Sequence, residues 1–187
     1  MLQIRILQYM WTALGLYWLF RARNTAKTIS DEASLSRWSR LALLILAFLL
    51  LFSPWLRIGL LALRFTSYSD ALGWFGVGVT AVAILLCIWA RSHLGANWSD
   101  KVVLKADHQL IRTGPYKHLR HPIYSGVLLG ILGTALTIGE WRGLISLAIM
   151  TINYCIKARR EERILTAQFG DAYRAYTMTA GFPFPKL

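Results

Sequence analysis

Apolar positions along the 187 residues gather into long blocks, separated by short polar segments that are mostly cationic. Soluble chains of this length spread their apolar residues at a period of 2 or 3.6, whereas these blocks run long enough to cross a bilayer. Five spans are predicted. The first runs from about Ile4 to Phe20, near the lower length limit, and carries the interface-seeking Tyr9, Trp11, Tyr17 and Trp18. The second covers Leu41 to Leu63, with a kink expected at Pro54. The third covers Ala71 to Ala90, and Gly73, Gly76 and Gly78 thin its outer half. The fourth begins at Pro122 and runs to Gly139, with Gly126, Gly130 and Gly133 at helical spacing. The fifth, Leu144 to Ile156, is too short to cross alone. It is expected to pair with the fourth as a helical hairpin and to continue as a stem, Lys157 to Phe169. The fold class is therefore an all-α polytopic integral membrane protein of about five transmembrane helices. Residues 1–90 form an N-terminal helical frame, and residues 91–187 carry the polar motifs.

Composition sharpens this picture. Hydrophobic residues make up 56% of the chain, above the share of ordinary soluble domains. The formal charge of +12 would suggest nucleic-acid binding in a soluble protein. Here its placement argues otherwise, because segments 21–40, 91–121 and 157–187 hold 5, 6 and 6 of the 21 lysines and arginines. The short connections near 64–70 and 139–142 hold one each. That is the positive-inside pattern, with cations that set topology and meet anionic headgroups, and nucleic acid is not an expected partner. Arg57, near the outer end of span two, is expected to snorkel. Cys87 and Cys155 lie inside apolar blocks and read as buried thiols, and His93 and His108 lack metal-ligand support, so no metal is expected. The first span is followed by Arg21 and Arg23 without a small-residue cleavage site and reads as retained.

Two stretches carry candidate chemistry. The first is Arg112-Thr113-Gly114-Pro115-Tyr116-Lys117-His118-Leu119-Arg120-His121-Pro122-Ile123-Tyr124. Its Gly-Pro pair forces a turn, and Pro122 suits the first turn of a helix. A cationic, aromatic mouth at a helix N-terminus suits an anionic or carboxylate-bearing ligand. The second is the stem Lys157-Ala158-Arg159-Arg160-Glu161-Glu162-Arg163, where Glu161 shares a face with Lys157 and Leu165. By itself the stem reads as a solvated helix with exchangeable ion pairs. The hairpin returns the chain to one membrane face, so mouth and stem are expected to meet. Together they offer cations for a carboxylate, a carboxylate for an ammonium or sulfonium group, and tyrosines for a planar ring, and S-adenosylmethionine has all three. No serine triad, cysteine nucleophile, phosphate loop or metal cluster is visible.

The order Gly-Pro-Tyr, Arg-His-Pro-x-Tyr, a glycine-rich hairpin, Glu-Glu-x-x-Leu, then Phe-Gly-x-x-Tyr-x-x-Tyr resembles the isoprenylcysteine carboxyl methyltransferase family and its phospholipid methyltransferase relatives. The resemblance covers roughly residues 93–187. It implies a helical membrane methyltransferase without a Rossmann domain, with 91–187 as the methyltransferase core and S-adenosylmethionine as cofactor. Carried over by position, His108, Gln109, Leu110 and Ile111 form a strand-like cofactor wall, and Tyr116 is a ring contact. His121, Pro122, Ile123 and Tyr124 close over the methionine part, and Glu161 partners the cofactor ammonium. The family has an arginine four residues before that glutamate, facing the methyl acceptor. Lys157 stands there in this chain, keeping the charge without the bidentate fork, with Arg159 and Arg160 close by. Arg120 orients an acceptor or cofactor carboxylate, and Tyr124 also lies at the reacting centre.

The implied acceptor is lipid-like or a hydrophobic small molecule, a carboxylate by preference, entering sideways from the lipid while the cofactor enters from the cytosol. A carboxylate or thiolate acceptor needs no general base, and an amine acceptor does. The expected location is a bacterial inner membrane or the endoplasmic reticulum, with the site on the cytoplasmic face. The alternative is a non-enzymatic transport or assembly subunit that keeps the family fold. A transporter should show ionisable pairs near mid-bilayer or repeated halves, and neither is visible in the sequence.

Overall fold

The computed structural model describes residues 2–22, 34–95 and 110–186, and the described residues form helices joined by irregular connections with two isolated bridges. In chain order the helices are α1 (Leu2–Ala22), α2 (Ser34–Phe52), α3 (Gly59–Ala62), α4 (Asp70–Leu94), α5 (Pro122–Ile138), α6 (Trp141–Phe169) and α7 (Asp171–Thr179), with 3-10 turns at Pro54–Leu56 and Gly114–Lys117. Among them α4 is long and apolar enough to cross a membrane by itself, whereas Trp38–Phe52 and α5 are shorter apolar helices.

The α4–α5 seam is the centre of the fold. A Cβ built on Gly133 of α5 would lie 2.6 Å from both the Gly76 carbonyl and Thr80 Oγ1 of α4, so the two backbones approach as closely as glycine permits. Across this seam Thr80 Oγ1 donates to the Gly130 carbonyl at 3.2 Å. Trp11 of α1 closes one side, its Nε1 donating to Thr134 Oγ1 at 3.0 Å and its ring filling the space over Gly130. Buried hydroxyls thus find partners on neighbouring helices, as a lipid or apolar environment demands. On the other side α6 packs on α2, where Ser146 Oγ donates to the Ala47 carbonyl at 3.0 Å.

The second apolar block departs from expectation at Pro54. In place of a kinked span to Leu63, α2 ends at Phe52, a 3-10 turn follows from Pro54, and α3 is one further short turn. Proline has no N–H for the carbonyl four residues earlier. That stranded carbonyl, on Leu50, accepts instead from Arg142 Nη1 at 3.0 Å, and the Ser53 carbonyl accepts from the same nitrogen at 3.1 Å. Arg142 is itself held by Glu140, Nε to Oε2 at 2.7 Å, and the other oxygen of Glu140 meets Arg57 Nε at 2.8 Å. Arg57 therefore pairs with a nearly fully buried carboxylate while most of its side chain stays exposed. Glu140 and Gly139 form the whole connection between α5 and α6, and the left-handed conformation at Gly139 (φ +67°) lets the chain reverse in two residues.

At the opposite end, Arg91 ties two helix termini together. It is 1% exposed, and its guanidinium donates to the Gly95 carbonyl at 2.8 Å and the Arg21 carbonyl at 3.0 Å. Of the two cysteines, Cys87 is buried as expected and Cys155 is partly exposed.

Candidate active site

The chain turns into α5 through the 3-10 segment Gly114–Lys117, which is locked from below. Tyr176 of α7 donates its hydroxyl to the Tyr116 carbonyl at 2.6 Å and lies 3.2 Å from the Leu119 carbonyl. Pro122 occupies the first turn of α5, where its missing N–H costs nothing, and His121 precedes it in a non-helical conformation. Three residues on, Tyr124 faces the stem. The stem is the continuation of α6, a single unbroken 29-residue helix, so Lys157 and Glu161 stand one turn apart on its inner face.

Mouth and stem meet around two adjacent carboxylates. Tyr124 donates to Glu161 Oε1 at 2.7 Å. His121 bridges both acids, with Nδ1 3.5 Å from Glu161 Oε2 and Nε2 3.1 Å from Glu162 Oε1. Arg120 Nε reaches the same Glu162 oxygen at 2.8 Å, and its Nη1 donates to the Ala180 carbonyl at 2.7 Å. Lys157 Nζ lies 4.0 Å from Glu161 Oε1 and 5.2 Å from the centroid of the Tyr124 ring. An aromatic column backs the cluster. His121 stacks on Tyr124 at 5.2 Å and Tyr124 on Tyr154 at 4.7 Å, each pair within 6° of parallel. Phe182 closes edge-on, 5.1 Å from His121 and 6.3 Å from Tyr124.

The tail carrying Phe182 is pinned to the mouth. Arg120 N–H donates to the Gly181 carbonyl and Gly181 N–H to the His118 carbonyl, both at 2.9 Å, and Ser125 Oγ donates to the Pro183 carbonyl at 2.7 Å.

The charge states follow from this geometry. Burial opposes the charged form of His121, yet its contacts with Glu161 and Glu162 outweigh that and raise its pKa above the ordinary histidine value. Burial likewise opposes ionisation of Glu161. The His121 hydrogen bond, the Lys157 charge and the Tyr124 hydroxyl prevail and hold it below the usual carboxylate range. Glu162 is held low in the same way by His121 and Arg120 against burial. Below the site, burial pushes the Tyr176 hydroxyl up to about 12, so it remains a donor at neutral pH.

The structure brings together Arg120, His121, Tyr124, Lys157 and Glu161. Tyr116 is buried beneath them, Pro122 is fully buried at the helix start, and Ile123 offers its carbonyl to Cys87 Sγ at 3.6 Å. Leu110 packs against Tyr173, Tyr176 and Ala180, and Ile111 is half-buried beside it in the chain. His108 and Gln109 lie outside the described residues. Arg159 and Arg160 are exposed, whereas Lys157 is buried. Glu162 and Tyr173 stood in the quoted motifs without a role of their own, and Tyr154 and Phe182 were not singled out in the sequence. The Gly-Phe-Pro-Phe-Pro run at 181–185, aromatic and turn-forming after the last helix, was the available signal for Phe182.

An apolar helical bundle with a charged, aromatic-walled cluster at one end defines the class. The phospholipid methyltransferase family matches residues 71–172, and the chain belongs to that family. It is 28% identical over 111 residues to protein-S-isoprenylcysteine O-methyltransferase of Schizosaccharomyces pombe, covering 58% of this chain and 45% of that one. It is 35% identical over 60 residues to the uncharacterized protein YpbQ of Bacillus subtilis, covering 32% of this chain and 36% of that one. Among solved structures, the fold is shared with the eukaryotic intramembrane Ras methyltransferase ICMT (isoprenylcysteine carboxyl methyltransferase), at a TM-score of 0.52 and 22% identity over 83% of this chain and 55% of that one. The chain thus spans about half or less of the length of the curated relatives it matches.

The residues present fit S-adenosylmethionine. Glu161 is held anionic yet keeps about a fifth of its side chain exposed, as a partner for an ammonium group requires. Tyr173 Oη is buried with no hydrogen-bond partner among the described residues, which leaves a donor for a carboxylate.

Proposed function

We propose that this chain is an S-adenosylmethionine-dependent membrane methyltransferase acting on a lipid-like or hydrophobic small acceptor, with a carboxylate as the favoured group. The convergence of Tyr124, His121 and Lys157 on Glu161 carries this reading, because it places a shielded anion against a flat aromatic column at the end of an apolar bundle. The family membership supports it, and so does the fold shared with an intramembrane methyltransferase.

In this reading Glu161 binds the cofactor ammonium, and His121 and Tyr124 fix the carboxylate by occupying its two oxygens. His121, Pro122, Ile123 and Tyr124 form the closing loop, Tyr116 meets the ring, and His108, Gln109, Leu110 and Ile111 supply the wall. When bound, the cofactor supplies an electrophilic methyl group on sulfonium sulfur. Lys157 and Arg120 present positive charge toward an acceptor carboxylate, which attacks as the anion and needs no base. Phe182 and the Tyr124–Tyr154 stack wall one side of the cluster, while Glu161 keeps about a fifth of its side chain open. The acceptor enters from the lipid side, five spans cross the membrane, and the site faces the cytoplasm of a bacterial inner membrane or an endoplasmic-reticulum membrane. Residues 91–187 form the methyltransferase core on the 1–90 frame.

Calorimetric titration of S-adenosylmethionine into purified protein, in detergent and in nanodiscs, tests the reading. Saturable binding to wild type, weakened at least about tenfold in folded Glu161→Ala (about 1.4 kcal/mol), is expected. No binding to well-folded wild type in either environment would move the chain to the non-enzymatic reading.

A further inference from the structure

The face of α6 opposite Glu161 carries its own pattern. Trp141, Ile145, Ala148, Ile152 and Ile156 are exposed at successive steps of three or four residues, so they form one stripe along the helix. The same stripe then changes character within one turn. Arg159, Arg160 and Arg163 follow at the next steps, all exposed. With Ile156 they line a surface cavity of about 200 Å³. The distance from Trp141 to Arg159 along the helix is about 27 Å at 1.5 Å per residue, close to the roughly 30 Å of bilayer hydrocarbon. A tryptophan sits at one end of that length and a trio of arginines at the other, which is how a lipid-facing helix marks its two interfaces. The lysine and glutamate of the site project from the same turns to the inner side.

We propose that Ile156, Arg159, Arg160 and Arg163 form a binding site for the headgroup phosphate of an anionic membrane phospholipid. The acyl chains lie along Ile145, Ile152 and Ile156 into the cavity walled by the arginine stems, and the phosphate meets the guanidinium groups at its rim. Guanidinium groups bind phosphate through paired, charge-assisted hydrogen bonds, and their aliphatic stems extend from the apolar stripe toward the headgroup level. A zwitterionic lipid carries a compensating ammonium and gains less from three adjacent positive charges. The site stands whether or not the chain transfers methyl groups, since it uses the outer face of the stem.

The test is lipid retention by native mass spectrometry on the purified full chain, with phosphatidylglycerol and phosphatidylcholine of matched acyl chains. Wild type is expected to retain phosphatidylglycerol at least tenfold better than phosphatidylcholine. The Arg159→Gln/Arg160→Gln/Arg163→Gln variant should lose that preference. A charge-matched control, Lys117→Gln/Arg174→Gln/Lys186→Gln, should stay within twofold of wild type. Equal losses in the two triple variants would mean diffuse attraction and overturn the site, as would full retention in the α6 triple variant. Displacement of the lipid by millimolar inorganic phosphate would identify a soluble-anion site and also overturn it. If the α6 triple variant is not monodisperse, Arg159→Gln and Arg163→Gln are measured singly. Each is then expected to weaken retention about threefold, and no loss in either refutes the proposal.

Discussion

Removing one oxygen atom tests whether the candidate site works as a unit. Tyr124→Phe keeps the stacks on His121 and Tyr154 and deletes the 2.7 Å hydrogen bond to Glu161. A hydrogen bond to a charged acceptor contributes about 1.5–3 kcal/mol. The remaining contacts of Glu161 among the described residues, His121 at 3.5 Å and Lys157 at 4.0 Å, are longer than the deleted bond. Its side chain is 20% exposed, which admits water and lowers the expected loss to about 1–2 kcal/mol. That corresponds to a 5- to 30-fold weakening of any ligand that depends on the orientation of this carboxylate. The assay is S-adenosylmethionine titration by calorimetry across a double-mutant cycle of Tyr124→Phe, Glu161→Ala and the pair. If the hydroxyl acts through the carboxylate, Tyr124→Phe has little further effect once Glu161 is alanine, with a coupling of about 1–2 kcal/mol. Additive losses would refute the reasoning and assign the hydroxyl a separate role.

The same cluster sets a pH window. His121, raised above 6.5, stabilises the fold fully below about that pH and loses its contribution as pH rises through the raised value. Glu161 and Glu162, lowered below 4.5, contribute above about that pH and lose their effect as pH falls through the lowered values. Thermal unfolding in detergent should therefore show greatest cluster stabilisation between about 4.5 and 6.5, and His121→Gln should flatten the alkaline limb and shrink the acid limb to what Lys157, Tyr124 and Arg120 still hold. At the far end, Glu140→Ala leaves Arg142, 6% exposed, without its carboxylate. It is expected to cost about 3–5 kcal/mol. Arg57→Ala removes the mostly exposed partner of the same glutamate and should cost under about 1 kcal/mol. Equal shifts in melting temperature for the two would contradict the buried-clamp description.

Much of the scaffold was legible because its signals are local. Pro122 and Gly139 mark the ends of α5 by their own backbone chemistry, and the structure starts and stops the helix there. The i, i+4 spacing of Lys157 and Glu161 put them on one face, and they share it. The second apolar block was misread because uninterrupted leucines hide a break. Pro54 ends the helix and does not bend it, and the arginine that accepts this arrangement lies 88 positions later. Glu162 stood in the carboxylate stem, but its pairing with His121 and Arg120 was not legible. Side by side in sequence, two glutamates on a helix point in different directions, and only the packing of His121 between them makes both part of one cluster. Tyr154 lies within an apolar stretch that periodicity assigns to packing, and its stack on Tyr124 depends on how α5 and α6 lean together.

The unbroken α6 also has a mechanical consequence. It links the Glu140–Arg142 clamp to Glu161 without a proline or glycine between Gly143 and Gly170, so the two ends move as one rod. Arg142 and Glu161 are 19 positions apart, which is about 28 Å of helix. Pivoting this rod about the clamp by about 5° would carry the carboxylate sideways by roughly 2–3 Å. Such a lever would make the packing around the clamp an input to the alignment of the cluster, a whole helix length away.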